Sequence, residues 1–171
     1  MFAIAAGGVL AAPASAALRS SDPALELAFE VTVTLGAPVE LGAIDGARHR
    51  FVPITGGHVA GPRLTGDILL DGGDWQQIRG DGLTIIHARY FIRAADGTSI
   101  AVDNPGVRVA SPEVIARLTA GEDLDPGLYY FRTAPQFTVA AGPHDWLTRS
   151  IFVAQCVRHP ASVVMRVFRV T

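Results

Sequence analysis

The most polar strand-like run in the middle of the chain is Leu83 to Arg93, where His87, Arg89 and Arg93 alternate with Ile86, Ala88, Tyr90 and Ile92. An imidazole titrates closest to neutrality of the ordinary side chains, and a guanidinium presents a planar fork to a carboxylate or enolate. On a strand, His87 and Arg89 stand two residues apart on one face, about 6 to 7 Å along the chain. Facing a hollow, they are a proton shuttle beside an anion clamp. Facing outward, they are the wet half of an antiparallel strand, and residue order leaves both readings open.

Three further runs carry chemistry. Gly72-Gly73-Asp74-Trp75 places a carboxylate and an indole behind two glycines, which the dipeptide predicts as a turn: Asp74 is a candidate base and Trp75 an apolar wall, or else Asp74 bonds turn amides and Trp75 plugs the fold. Thr55-Gly56-Gly57-His58-Val59-Ala60-Gly61-Pro62 brings one imidazole, His58, into a glycine-rich stretch, without the lysine or spacing of a nucleotide-binding loop. Tyr130 and Arg132 share one face of Tyr129-Tyr130-Phe131-Arg132-Thr133, where Arg132 is either an anion clamp or a surface charge beside a tyrosine ring. The five histidines show no His-x-His spacing and no metal is expected. No serine lies in a Gly-x-Ser-x-Gly setting, which disfavours a serine hydrolase. Cys156 sits in an alternating run and reads as a small buried hydrophobe.

The elements that must position these residues are strands. Period-two alternation bounded by Gly, Pro and Asp predicts eight, over 27–36, 48–55, 63–70, 83–93, 99–109, 128–139, 149–157 and 162–170. Asp45-Gly46, Gly72-Gly73, Asp81-Gly82 and Asp96-Gly97 read as tight turns between them. One short helix opens at Ser111-Pro112-Glu113 and presents Val114, Ile115 and Leu118 until Gly121. A helical turn is expected through His144-Asp145-Trp146-Leu147. With so little helix to cover a sheet, the strands must close or stack. The expected fold is all-β, a single-domain antiparallel up-and-down β-barrel with a lumen that side chains nearly fill or that holds one small ligand.

Composition bounds the rest. The 171 residues are 49% hydrophobic and 18% charged, with a formal net charge of −2, so there is no basic excess for nucleic acid. Residues 1–16 contain no charged side chain and end in Pro13-Ala14-Ser15-Ala16, which reads as a secretory signal peptide cleaved after Ala16. Export to the periplasm is the expectation, and the missing basic n-region keeps the cytoplasm open. Residues 17–26 are then an extension and 27–171 the barrel domain, with no membrane span left after signal removal.

Several of these runs also stand in a familiar order: Gly56 to Gly66, Gly72-Gly73-Asp74-Trp75, His87-Ala88-Arg89-Tyr90, Asp96 to Ile100, Tyr130-Phe131-Arg132-Thr133-Ala134-Pro135-Gln136-Phe137 and Trp146-Leu147-Thr148-Arg149. In this the chain resembles the bacterial domain of unknown function 3237, also called uncharacterised protein family 311, over about Leu27 to Val170. The resemblance implies a single β-barrel and carries no catalytic assignment. The functional expectation is a small anionic aromatic or apolar ligand held by Arg89 or Arg132 with Trp75 and Tyr130 on its ring. Asp74, His87 or His58 would perform cofactor-free acid–base chemistry, as an isomerase, cyclase or lyase. A ligand carrier without turnover and a plugged interaction barrel are the competing readings, and homo-oligomer formation is open.

Overall fold

The computed structural model describes residues 22–171. The expected signal segment, 1–16, and the first part of the 17–26 extension lie outside the described residues. The strands are β1 (Leu25–Leu35), β2 (Val39–Ile44), β3 (Ala47–Ala60), β4 (Gly66–Ile68), β5 (Gly72–Arg79), β6 (Leu83–Ala94), β7 (Ser99–Val109), β8 (Tyr130–Thr133), β9 (Gln136–Thr138), β10 (Phe152–His159) and β11 (Ser162–Val170). Among the described residues one α-helix, α1 (Pro112–Thr119), follows β7.

Eight of these strands close a ring. β1, β3, β5, β6, β7, β8, β10 and β11 pair antiparallel in that order, and β11 returns to β1 through Val33↔Val163 and its neighbours. This is the expected up-and-down barrel, in which closure removes the edges that would template association. β2 folds back on β3 through Asp45-Gly46, whose φ values of 49° and 80° give the two left-handed positions of a primed hairpin turn.

Two expected strands are corrected. The run 63–70 contributes only the three-residue β4, whereas 72–79, read as a turn, is a full wall strand. Gly73 is a strand residue because the Phe51 ring lies across it: a Cβ there would fall 2.0 Å from the ring's Cε2. The run 128–139 is divided into β8 and β9 at Ala134-Pro135, where a residue lacking an amide proton interrupts the ladder, and β7 pairs with both pieces.

The inward positions are stratified along the barrel axis. At one end Ile68, Ile92 and Ile100 are successive cross-strand partners. Phe29 meets Phe137 and Trp146 edge-on there, and Phe137 meets Phe152, beside the buried Leu147 of the 3₁₀ turn Asp145–Arg149. That end is sealed by apolar packing. The other end is covered by α1, which starts where Ser111 Oγ accepts the Val114 amide at 3.3 Å and buries Ile115 and Leu118. Between plug and helix the lumen is polar.

Candidate functional site

The polar middle is built from two inward layers. Val52, Asp74, Ala88 and Asn104 are successive partners across β3, β5, β6 and β7, and the layer nearer α1 sets Arg50 beside Gln76 and Ile86. Arg108 follows on β7 and Arg158 on β10. Together with Val33, Leu35, Ile54, Tyr90, Phe131, Thr133, Val163 and Met165 they surround a narrow cavity that opens to solvent. Leu35 and Val163 are the partly exposed members of this lining, so the mouth lies at the α1 end between β1 and β11.

Asp74 is the carboxylate of this lumen and is 9% exposed. Its Oδ2 accepts from Gln76 Nε2, and its Oδ1 accepts the His87 backbone amide at 3.1 Å. Burial pushes its carboxyl up to about 6, against the pull of those two hydrogen bonds and of the Arg108 and Arg50 charges. A carboxyl poised there exchanges a proton near neutral pH.

Three guanidiniums surround it. Arg50 is 2% exposed and donates from Nε to Gln76 Oε1 at 2.9 Å and from Nη1 to the Thr119 carbonyl of α1 at 3.5 Å. Arg158 donates from Nη1 to the Ser162 carbonyl at 3.2 Å, and its amide donates to the Tyr129 hydroxyl at 3.0 Å. Arg108 is 1% exposed, with its guanidinium carbon 5.6 Å from the Phe131 ring centre, and no protein group accepts from its Nε or Nη2. Burial, reinforced by the like charges of Arg50 and Arg158, brings Arg108 down to about 10. Three buried cations facing one buried carboxyl leave this lumen with an excess of positive charge, which an anionic ligand would complete.

The other residues singled out in the sequence lie on the outer wall. β6 turns Ile86, Ala88, Tyr90 and Ile92 inward, so His87 and Arg89 face solvent. There His87 Nε2 pairs with Asp103 Oδ1 at 2.7 Å and Arg89 Nη2 with Asp103 Oδ2 at 3.3 Å. Trp75 is half exposed, its ring centre 4.8 Å from that of Phe51. His58 is exposed on β3 opposite Thr32, and Arg132 lies over the exposed Tyr130 ring at 5.0 Å. The expectation that His87, Arg89, Trp75, His58, Tyr130 and Arg132 gather at a hollow is thereby corrected; Asp74 alone of that set lines it. The reason is the pleat: on β6 the more polar face takes the water side, and on β5 the alternation that turns Asp74 and Gln76 inward turns Trp75 outward. Cys156 is inside, as alternation predicts, next to Thr133 Oγ1, and burial pushes its thiol up to about 12.

Arg50, Gln76, Asn104, Arg108 and Arg158 went unnoticed in the sequence. Their signal was parity. Arg50 continues the inward series of Val52 and Ile54, Asn104 and Arg108 that of Ile100 and Val102, and Arg158 that of Ala154 and Cys156. Among the described residues, no three His, Cys, Asp or Glu side chains gather to hold a metal ion, and no helix is long and apolar enough to cross a membrane.

Eight strands closed around a buried, arginine-rich pocket define an up-and-down β-barrel with a polar lumen. The chain belongs to the DUF3237 family, proteins of unknown function, which it matches over residues 23–170. It is similar to a UPF0311 protein of Bradyrhizobium diazoefficiens, 39% identical over 142 residues covering 83% of this chain and 93% of that one. A solved structure from Rhodopseudomonas palustris superposes with a TM-score of 0.84 at 34% identity, covering 87% of this chain and 98% of its own. A β-barrel-like protein of Acinetobacter baumannii gives 0.76, also at 34% identity, over 87% and 96%. A Penicillium herquei protein shares the fold at 20% identity, with a TM-score of 0.66 over 87% of this chain and 95% of its own.

Proposed function

We propose that the lumen binds a small organic anion and that Asp74 moves a proton on it, as a cofactor-free isomerase, cyclase or lyase would. The observation that supports this is one buried carboxyl, poised near 6, in a cavity that sets polar side chains among apolar ones and whose fixed charges are otherwise cationic. Arginines that stabilise a developing enolate beside a carboxylate base are sufficient for proton abstraction next to a carbonyl. The Penicillium herquei barrel is described as an enzyme, so one catalyst exists on this fold.

A carrier is the second reading, favoured by one observation: both Asp74 oxygens already accept hydrogen bonds, as a structural carboxyl's would. Solvent-deuterium exchange separates the two. Small cyclic and aromatic keto acids are incubated with the protein in D₂O, and C–H exchange is followed by NMR. The enzyme reading expects exchange that rises through pH about 6 and is lost in Asp74→Asn while binding persists. Binding without exchange at any pH supports the carrier.

Export through the 1–16 segment is part of the same proposal. The family match begins at residue 23 and so leaves that apolar run outside the shared domain. An N-terminus starting at Ala17 on the protein recovered from a periplasmic fraction would support it; an intact Met1 in the cytosol would overturn it.

A further inference from the structure

Resting on the anion-binding reading of the lumen, we infer that the ligand is a planar hydroxy-carboxylic acid, its carboxylate gripped side-on by Nε and Nη2 of Arg108 and its hydroxyl donating to Asn104 Oδ1. The same guanidinium edge is used twice elsewhere in this protein. Arg48 holds Glu40 with Nε at 2.9 Å and Nη2 at 2.7 Å, and Arg79 holds Asp81 with Nε at 3.3 Å and Nη2 at 2.7 Å. Both of those pairs lie in solvent. Arg108 presents the same pair of donors inside the barrel, buried, and no protein acceptor meets either. Two parallel N–H groups at that spacing match a carboxylate.

The neighbouring cations narrow the choice. Arg50 is committed through Nε and Nη1 to Gln76 and the end of α1, and Arg158 spends Nη1 on the Ser162 carbonyl, whereas Arg108 alone of the three has its Nε and Nη2 both fully buried without an acceptor. A single flat edge of two buried donors suits a planar carboxylate better than a phosphate, which takes donors from several directions. The Phe131 ring beside the Arg108 guanidinium supplies a flat apolar surface for the body of the ligand.

Asn104 supplies the second contact. Its Nδ2 faces Met165 Sδ at 3.5 Å, and since a thioether can only accept, that edge of the amide must be its NH₂. Oδ1 is left as a buried acceptor with no protein donor, on the same strand and the same inward face as Arg108. An acceptor on the same inward face as the anion clamp, four residues along the strand from it, selects a ligand whose hydroxyl stands well away from its carboxylate.

The test uses the barrel protein with 4-hydroxybenzoate, benzoate, phenol and phenyl phosphate as probes in titration calorimetry. 4-Hydroxybenzoate is expected to bind at least tenfold tighter than benzoate, and phenol and phenyl phosphate more weakly than either. Arg108→Lys, which keeps the charge and loses the fork, should weaken 4-hydroxybenzoate at least tenfold. Asn104→Leu should abolish the preference for 4-hydroxybenzoate over benzoate. In the unaltered protein, 4-hydroxybenzoate should move the Arg108 Nε proton resonance downfield, which keeps the proposal testable where a variant fails to fold. Val163→Trp at the mouth separates the two levels of inference. 4-Hydroxybenzoate binding that Val163→Trp blocks but Arg108→Lys leaves intact overturns the fork while the lumen reading stands, as does tighter binding of phenyl phosphate. 4-Hydroxybenzoate binding indifferent to Val163→Trp, or no binding by any probe, overturns both.

Discussion

Asp74 Oδ1 accepts the backbone amide of His87 at 3.1 Å, so the two residues are joined across β5 and β6 while their side chains stand on opposite sides of the barrel wall. The carboxyl reads the lumen and the imidazole reads the solvent. Any proton chemistry in the cavity therefore falls to Asp74, and the His87 side chain, held by Asp103, stays outside it.

The elevated Asp74 carboxyl sets a pH dependence of stability. Its folded value of about 6 lies above the ordinary 3.8, so the folded state holds the extra proton between these values. Stability is then fully present below pH about 4 and falls as pH rises through about 6, by on the order of 2 to 3 kcal/mol. Asp74→Asn should flatten this part of the profile and gain relative stability at pH 7. Urea midpoints of the two proteins at pH 4, 5, 6 and 7 measure it; parallel profiles would show that Asp74 is not the responsible group.

Arg108 is expected to destabilise the ligand-free barrel. Its guanidinium is buried, repelled by Arg50 and Arg158, and lacks a protein acceptor at two of its nitrogens. Arg108→Met keeps most of the volume and removes the charge, and should raise stability by about 1 to 3 kcal/mol. The Asp74 carboxyl loses a cation that holds it down, so its titration should move above 6 in the same variant. Denaturant unfolding and NMR titration of the Asp74 carboxyl carbon check the two halves; a loss of stability would mean that Arg108 is paired.

Tyr129 holds the polar end together through one bond. Its buried hydroxyl accepts the Arg158 amide at 3.0 Å, and Tyr129→Phe strands that donor, at a cost of about 1 to 3 kcal/mol. The exposed Tyr130 is the control, and Tyr130→Phe should change stability by no more than about 0.5 kcal/mol. Equal urea midpoints for the two variants would contradict the assignment.

Gly73 and Phe51 form a coupled pair on the outer wall. A methyl at Gly73 would overlap the Phe51 ring, so Gly73→Ala should cost about 1 to 3 kcal/mol in the native background and much less with Phe51→Ala. The double-mutant cycle measures the difference, and simple additivity would locate the strain elsewhere.

Much of the barrel was legible from the chain. Alternation in 27–36, 83–93, 99–109 and 162–170 coincides with β1, β6, β7 and β11, because strands wet on one face carry their orientation in every second residue. Ser111-Pro112-Glu113 marked α1 through local capping chemistry. The misreadings came where local chemistry was ambiguous. Gly72-Gly73 has the composition of a turn, and only the Phe51 ring packed over Gly73 shows why a wall strand needs glycine there.

The sequence by itself determined the all-β class, the meander order and the period-two alternation of most long strands, since these follow from backbone geometry and the separation of apolar from polar side chains; it left open which face of 83–93 looks inward. The tertiary structure decided which polar residues share a space. Arg50, Asp74, Asn104, Arg108 and Arg158 come from four strands, and only closure of the ring turns them toward one volume. Closure also removes that volume from bulk water, which is what lifts the Asp74 carboxyl and leaves the Arg108 donors facing an enclosed cavity. Burial is a property of the assembled wall, and no single strand records it.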